Sequence, residues 1–407
     1  MEKLKTRVFL AFLIGAVVGL FIYSISNNET VKVMKFINYG IYGYKAYILI
    51  IEVLMLPMIV LATINATRMM IQGLQNSTIG FYTMRNFVMT TVLAILFSIG
   101  YSLWFQGFMV VDLSIVTQYT NSLLNRSFEV FHMADQRDVM RYIISPKIVT
   151  GALSVSVLVG CLSEIQLGST AAQIELFFVS SQKRVSEVLR WFIQLVYIPV
   201  FIYVMVVFGL VGSKAFAAAL IYGVGLVVAL LIFGGLLYGA LIKMGTPITV
   251  SELIQKTQPL AKVISKTSSS TEVLPVTIST VVNKFDVDEA VAGFVLRLGQ
   301  NVNRDGTAIM QCFSAILMAK LYGIPLTGLS LLAIGAMTFL LAQGSFKIPY
   351  DGIMTLSIIF YLLGIPVEGL LLVLGVDKGI EILRIVINVT GDIITAIRVE
   401  NWSFKNK

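Results

Sequence analysis

An all-α polytopic membrane protein is the fold class predicted by this 407-residue sequence. Three observations predict it. Only 13% of the residues are charged, about half the ~25% of an ordinary soluble domain, while 57% are hydrophobic. Apolar runs approaching the ~20 residues that carry a helix across a bilayer recur along the chain. They are Val8 to Ile22, Ala46 to Ile64, Phe87 to Leu103, Ile148 to Leu162, Phe192 to Val211 and Phe216 to Ile242. Finally, these runs are continuously apolar, whereas strands of a transmembrane β-barrel alternate over about ten residues. The formal net charge of +8 does not point to nucleic acid, because the basic residues are scattered and flank apolar runs, as in membrane helices. Cys161 and Cys312 both lie in apolar segments. They support neither a disulfide framework nor a metal cluster, and packing is their expected role.

The first run follows Lys3, Lys5 and Arg7 and superficially resembles a signal peptide. It has no A-x-A-like cleavage site and leads into further spans, so it is expected to be a retained helix of a plasma-membrane protein with a cytoplasmic N-terminus. A polar loop from Asn27 to Lys35 then precedes the second span. The mixed-charge stretch from Asp112 to Arg141 contains the lone histidine, His132, outside every apolar run, which predicts a solvated side chain rather than a proton relay. Gln182 to Arg190 (QKRVSEVLR) is amphipathic and is placed on the cytoplasmic surface ahead of the next span.

After residue 242 the apolar stretches shorten and alternate with polar clusters: SKTSSSTEVLP at Ser265 to Pro275, NVNRDGT at Asn301 to Thr307, and QGSFKIPYDG at Gln343 to Gly352. Such backbone cannot face lipid, where each unpaired N–H or C=O costs several kcal/mol. Two clusters share a layout of helix, polar tip with proline, helix. They read as re-entrant hairpins flanking a broken helix, the pattern of a transporter site. Extramembrane loops between short helices are the alternative.

The segment from Gly375 to Val399 places Asp377, Glu381, Arg384, Asn388 and Asp392 at spacings of 4, 3, 4 and 4. Those intervals put all five on one helical face. A charge at mid-bilayer costs ~2.5 to 3.5 kcal/mol or more, so these groups face the protein interior and mark a substrate or ion path. Mutual neutralisation of Glu381 and Arg384 is the structural alternative, but it leaves Asn388 and Asp392 without a purpose. A cation beside two carboxylates and an amide suits a zwitterion, with Arg384 taking a carboxylate in its fork and Glu381 the ammonium.

These motifs together resemble the dicarboxylate/amino acid:cation symporter family, the family of the glutamate transporters. SSSTEVLPVT resembles its first hairpin tip, NRDGTAIMQ its NMDGTALYQ, RIVINVTGD its RTxxNVxGD, and YILIIEVLMLPMIVLA its second helix. The resemblance implies a homotrimer of elevator-type carriers with eight transmembrane helices, two re-entrant hairpins and inverted repeats. It divides the chain into scaffold helices 1 and 2 (1–75), transport-domain helix 3 (76–111), scaffold helices 4 and 5 (112–213) and the rest of the transport domain (214–407). It implies an amino acid substrate, no cofactor, and Na+ or H+ as the coupling ion. Substrate contacts carry over to Ser269, Ser270, Thr307, Ile348, Glu381, Arg384 and Asn388. Cation sites carry over to Thr90, Thr91, Gly299, Asn303, Asp305, Asn388 and Asp392.

The departures from the family pattern bear on coupling. Arg304 replaces the methionine of NMDGT, where a guanidinium near Asp305 and Asp392 would supply permanently the charge of a sodium ion. Two unit charges ~4 Å apart at an effective dielectric of 20 repel by about 4 kcal/mol, roughly a thousandfold in binding. Weakened or lost sodium coupling is therefore expected; the alternative turns Arg304 toward solvent or Glu381. The glycine-rich second hairpin tip becomes GSFKIPYDG, with Lys347 and Asp351 added, and Ile385 replaces a threonine. Acidic amino acids are the expected substrates, with C4-dicarboxylates or neutral amino acids as the alternative. An intramembrane aspartyl protease, imitated by Tyr350-Asp351 and Gly391-Asp392, lacks the first glycine of its second motif, where Val389 stands. A chain with a single histidine cannot carry HExxH.

Overall fold

The computed structural model describes residues 2–25, 30–75, 78–109, 111–118, 146–165, 171–267, 270–342 and 350–405. Every element in it is helical: α1 (Glu2–Ile25), α2 (Thr30–Gln75), α3 (Thr78–Phe105), α4 (Pro146–Ile165), α5 (Ala171–Ile193), α6 (Tyr197–Val211) and α7 (Ser213–Phe233). A π-helical turn, Gly234–Tyr238, leads into α8 (Gly239–Gly245). Then follow α9 (Val250–Thr267), α10 (Ser270–Phe285), α11 (Glu289–Val302), α12 (Asp305–Leu321), α13 (Gly328–Ala342), α14 (Asp351–Leu362) and α15 (Gly369–Lys405).

Among the described residues, four stretches are long and apolar enough to cross a membrane: Lys3–Ser24, Gly40–Gln72, Thr78–Phe108 and Ser213–Gly245. A fifth arises if α5 and α6, bent by 49° at their junction, count as one span. Among the described residues, length and apolarity thus single out fewer than eight spans; the apolar stretches of α4 (Ile148–Ser163), α13 and α14 are shorter. The helices turn apolar side chains outward, among them Val17 and Phe21 of α1, Leu96 and Trp104 of α3, and Leu220 and Leu231 of α7. Outward apolar faces suit lipid, the solvent such a surface requires. His132 lies outside the described residues. Of the polar loop expected from Asn27 to Lys35, the residues from Thr30 onward belong to α2, and those before it lie outside the described residues. The amphipathic Gln182 to Arg190 segment forms the second half of α5.

Helix α1 lies along α6 through a G-x-x-x-G pair. A Cβ on Gly15 would sit 2.7 Å from the Phe201 carbonyl oxygen, and one on Gly19 would sit 2.6 Å from that of Met205. Small residues let two membrane helices approach this closely, so α1 is seated firmly on α6.

The polar clusters of the second half sit at helix interruptions. Helices α9 and α10 form a hairpin: Lys284 Nζ donates to the Lys256 carbonyl at 3.0 Å, which brings the end of α10 back beside the start of α9. Pro275, expected at the tip, falls inside α10. Helices α13 and α14 pack against each other, with the Gln343 to Pro349 tip between them outside the described residues. At the centre runs α12, buried at every position from Asp305 to Ala319 and packed against α3, α13, α14 and α15.

Candidate functional site

The broken helix organises the site. Between α11 and α12, Asn303 (φ −96°, ψ 88°) and Arg304 (φ −124°, ψ 53°) leave helical geometry. Their polar groups therefore need partners from other helices. Asn303 Nδ2 donates to Asp392 Oδ1 at 2.9 Å, and Asn303 Oδ1 accepts from Thr90 Oγ1 at 3.1 Å. Asp305 accepts from Thr91 Oγ1 at 3.0 Å and, on its other oxygen, from the Tyr238 hydroxyl at 2.9 Å. Asn388 Oδ1 takes the Gly306 N–H at 2.8 Å, satisfying one of the donors left free at the start of α12. Thus Thr90, Thr91, Gly299, Asn303, Asp305, Asn388 and Asp392 meet in one cluster built from α3, α11, α12 and α15.

Gly299 is there for a steric reason. A Cβ at this position would collide with Asp392 Oδ1 and come within 2.9 Å of the Phe87 ring. Gly299→Ala is accordingly expected to displace the Asp392 carboxylate, with a stability loss of about 1 to 3 kcal/mol for the overpacking. A thermal melt with and without sodium checks it: any sodium-induced stabilisation of the natural protein should shrink at least threefold in the variant.

Asp305 and Asp392 are buried, and among the described residues neither forms an ion pair. The hydrogen bonds that they accept come from Thr91, Tyr238 and Asn303, all uncharged. Carboxylates buried inside a membrane protein without an ion pair are costly.

Arg304 corrects the sequence-based expectation. Its guanidinium does not reach toward Asp305 or Asp392 but forks onto Asp351 at the start of α14, with both nitrogen-to-oxygen distances 3.0 Å. Asp351 presents both oxygens to the planar fork, whereas the two oxygens of Asp305 are taken by Thr91 and Tyr238. Arg304 and Asp351 side chains are 13% and 17% exposed, so the pair is largely withdrawn from solvent.

The charged stripe of α15 also finds its own partners. Arg384 grips Asp377 two turns earlier, with bonds of 2.8 and 3.2 Å, and Glu381 pairs with Lys5 of α1 at 2.6 Å. Glu381 and Arg384 form no direct ion pair with each other among the described residues. Thr307, in the first turn of α12, has a buried hydroxyl without a hydrogen-bond partner among the described residues, and its methyl abuts Gly352. Ser269 and Ile348 lie outside the described residues, as does the Ser270 side chain. Tyr238, Lys5 and the pairing roles of Asp351 and Asp377 escaped the sequence. Asp377 stood in the stripe and Asp351 among the unusual residues of the second tip, so both carried a signal. Lys5 looked like an ordinary flanking lysine. Tyr238 carried no signal, and its placement depends on the π-helical turn, a feature frequent at functional sites.

Comparison with known proteins decides the family. The model of the sodium:dicarboxylate symporter family matches residues 4–402. The chain belongs to this family. This sodium:dicarboxylate symporter homologue is therefore a multi-pass membrane protein of a transporter family, not an enzyme. Asp351 and Asp392, the aspartates that imitate a protease pair, are bound instead to Arg304 and Asn303 respectively. Among relatives, the proton/sodium-glutamate symport protein of Bacillus subtilis is 24% identical over 412 residues, covering 98% of this chain and 92% of that protein. Human excitatory amino acid transporter 2 is 33% identical over 126 residues, 31% of this chain and 22% of the human protein. Mouse neutral amino acid transporter B(0) is 33% identical over 149 residues, 37% of this chain and 27% of the mouse protein. The matched stretches thus span less than a third of these two mammalian relatives.

Proposed function

We infer that this family member is an elevator-type secondary transporter of an acidic amino acid, aspartate- or glutamate-like, driven by a cation but with weakened sodium dependence. The observation that carries the cation-driven reading is the pair Asp305 and Asp392, buried and without an ion-pair partner among the described residues. The oxygens of Asp305, Asp392, Asn303, Asn388, Thr90 and Thr91 are hard ligands of the kind a small monovalent cation takes. Sodium here is cargo, entering with the substrate. The weakening rests on Arg304: its fork onto Asp351 ties the gap of the broken helix to α14 with fixed charges, which lessens the need for a bound cation to join those elements. Counter-charge at Asp305 and Asp392 plays no part in it.

We place the substrate beside Thr307, whose buried hydroxyl has no hydrogen-bond partner among the described residues, with Arg384 for the side-chain carboxylate, Asn388 for the main-chain carboxylate and Glu381 for the ammonium. The glutamate named in the Bacillus relative supports this assignment. Helices of 1–75 and 112–213 form the scaffold, and those of 76–111 and 214–407 form the moving part, in a homotrimer of the plasma membrane with a cytoplasmic N-terminus. One observation favours a second reading. Asp377 already fills the Arg384 fork, so an acidic side chain has to displace it, whereas a neutral amino acid does not.

Uptake of labelled L-aspartate into proteoliposomes, with sodium or choline outside, tests both. We expect uptake in choline, stimulated three- to tenfold by sodium. An absolute sodium requirement overturns the weakened coupling, and no sodium effect overturns the cation site. Competition by alanine or serine but not aspartate replaces the acidic substrate with a neutral one.

A further inference from the structure

We propose that Lys5 is a tethered rival of the substrate's ammonium group, held on Glu381 by α1 when the site has no amino-bearing ligand. This rests on Glu381 as the ammonium site. Lys5 Nζ lies 2.6 Å from Glu381 Oε2, and the two side chains are 4% and 9% exposed, so neither charge is shared with bulk water. A lysine ammonium and an amino acid's ammonium present the same chemistry: one positive charge and three N–H donors. One carboxylate can neutralise only one of them. The nearby Asp377 is already neutralised by Arg384, so it offers no spare negative charge for a second cation. An incoming ammonium therefore has to exchange with Lys5 at Glu381.

The exchange carries a mechanical consequence. Helix α1 runs antiparallel to α15 through three successive contacts. Phe12 packs on Gly375, Lys378 Nζ reaches Thr6 Oγ1 at 3.1 Å and lies over the Phe9 ring at 5.6 Å, and Lys5 meets Glu381. Because α1 is seated on α6 through Gly15 and Gly19, the lysine ties α15 to the α1–α6 unit. A ligand with an amino group releases this tie. A dicarboxylate without one leaves it in place, so Lys5 discriminates amino acids from dicarboxylates by what their binding sets free. The linkage is reciprocal: whatever loosens α15 from α1 favours ligands bearing an ammonium.

The experiment measures L-aspartate and succinate binding to the purified full-length protein and to Lys5→Met and Lys5→Arg. Lys5→Met should tighten L-aspartate at least tenfold and leave succinate within twofold, while Lys5→Arg returns L-aspartate to the natural affinity. Unchanged or weaker L-aspartate binding in Lys5→Met overturns the rivalry, as does an equal shift for both ligands. A second measurement is independent of that variant. Thiol cross-linking of a Thr6→Cys/Lys378→Cys pair should slow at least threefold with saturating L-aspartate and not with succinate, and cross-linking that ignores L-aspartate overturns the release. If the natural protein does not bind L-aspartate, the acidic-substrate reading falls, and the Lys5 role with it. If it binds L-aspartate and both measurements stay flat, only the role of Lys5 falls.

Discussion

Asp305→Asn is expected to abolish sodium-stimulated transport while leaving a folded protein. The side chain is fully buried in the first turn of α12 and holds its place through Thr91 and Tyr238, both of which can also bond to an amide. The substitution keeps the shape and removes one negative charge. At an effective dielectric of 20 and ~4 Å, that charge is worth about 4 kcal/mol to a bound cation, or roughly a thousandfold in affinity. Sodium should therefore cease to raise either L-aspartate uptake or the melting temperature, while the melting temperature without sodium stays equal to or above that of the natural protein, since a buried charge has been removed. Retained sodium stimulation in a well-folded variant would remove Asp305 from the ion path.

The second large effect concerns Arg304 and Asp351. Removing one member strands the other in a site less than a fifth exposed, and breaking a buried pair this way costs about 3 to 5 kcal/mol. Asp351→Asn strands the guanidinium and Arg304→Met strands the carboxylate, so both single variants should melt well below the natural protein. The double variant loses both charges together and should recover a large part of that loss. A double-mutant cycle on melting temperature measures the coupling. The same set reads out function: if the fork ties α14 to the gap of the broken helix in place of a cation, the double variant should require more sodium for half-maximal L-aspartate binding, by tenfold or more. A cycle with no coupling, or a double variant with unchanged sodium dependence, would sink this role.

Much of the architecture was legible in the chain. Continuous apolar runs located α1, α2, α3, α6 and α7, since the bilayer sets the length and polarity of a spanning helix. The NRDGT cluster marked the interruption between α11 and α12, because backbone that leaves helical geometry in a membrane protein needs polar residues to satisfy it. The intervals of 4, 3, 4 and 4 from Asp377 to Asp392 lie on one α15 face, as helical periodicity requires. Less legible were the ends of elements. Thr30 starts a helix where a loop was expected, and Pro275 sits within α10, because packing against neighbours extends helices past the points where local composition falters.

What the sequence determined by itself was therefore which residues are charged, on which helix they lie and which face they share. These follow from hydropathy and period, properties local to one stretch of chain. Only the tertiary structure decided which charges meet. Arg304 lies one residue from Asp305 yet bonds to Asp351, forty-seven positions away. Glu381, three residues from Arg384, is instead partnered by Lys5 at the opposite end of the chain. Adjacency and helical spacing offered each residue a nearer partner of opposite sign. Inside a membrane protein the winning partner is the one whose geometry satisfies the most donors and acceptors at once, and that depends on how separate helices are brought together.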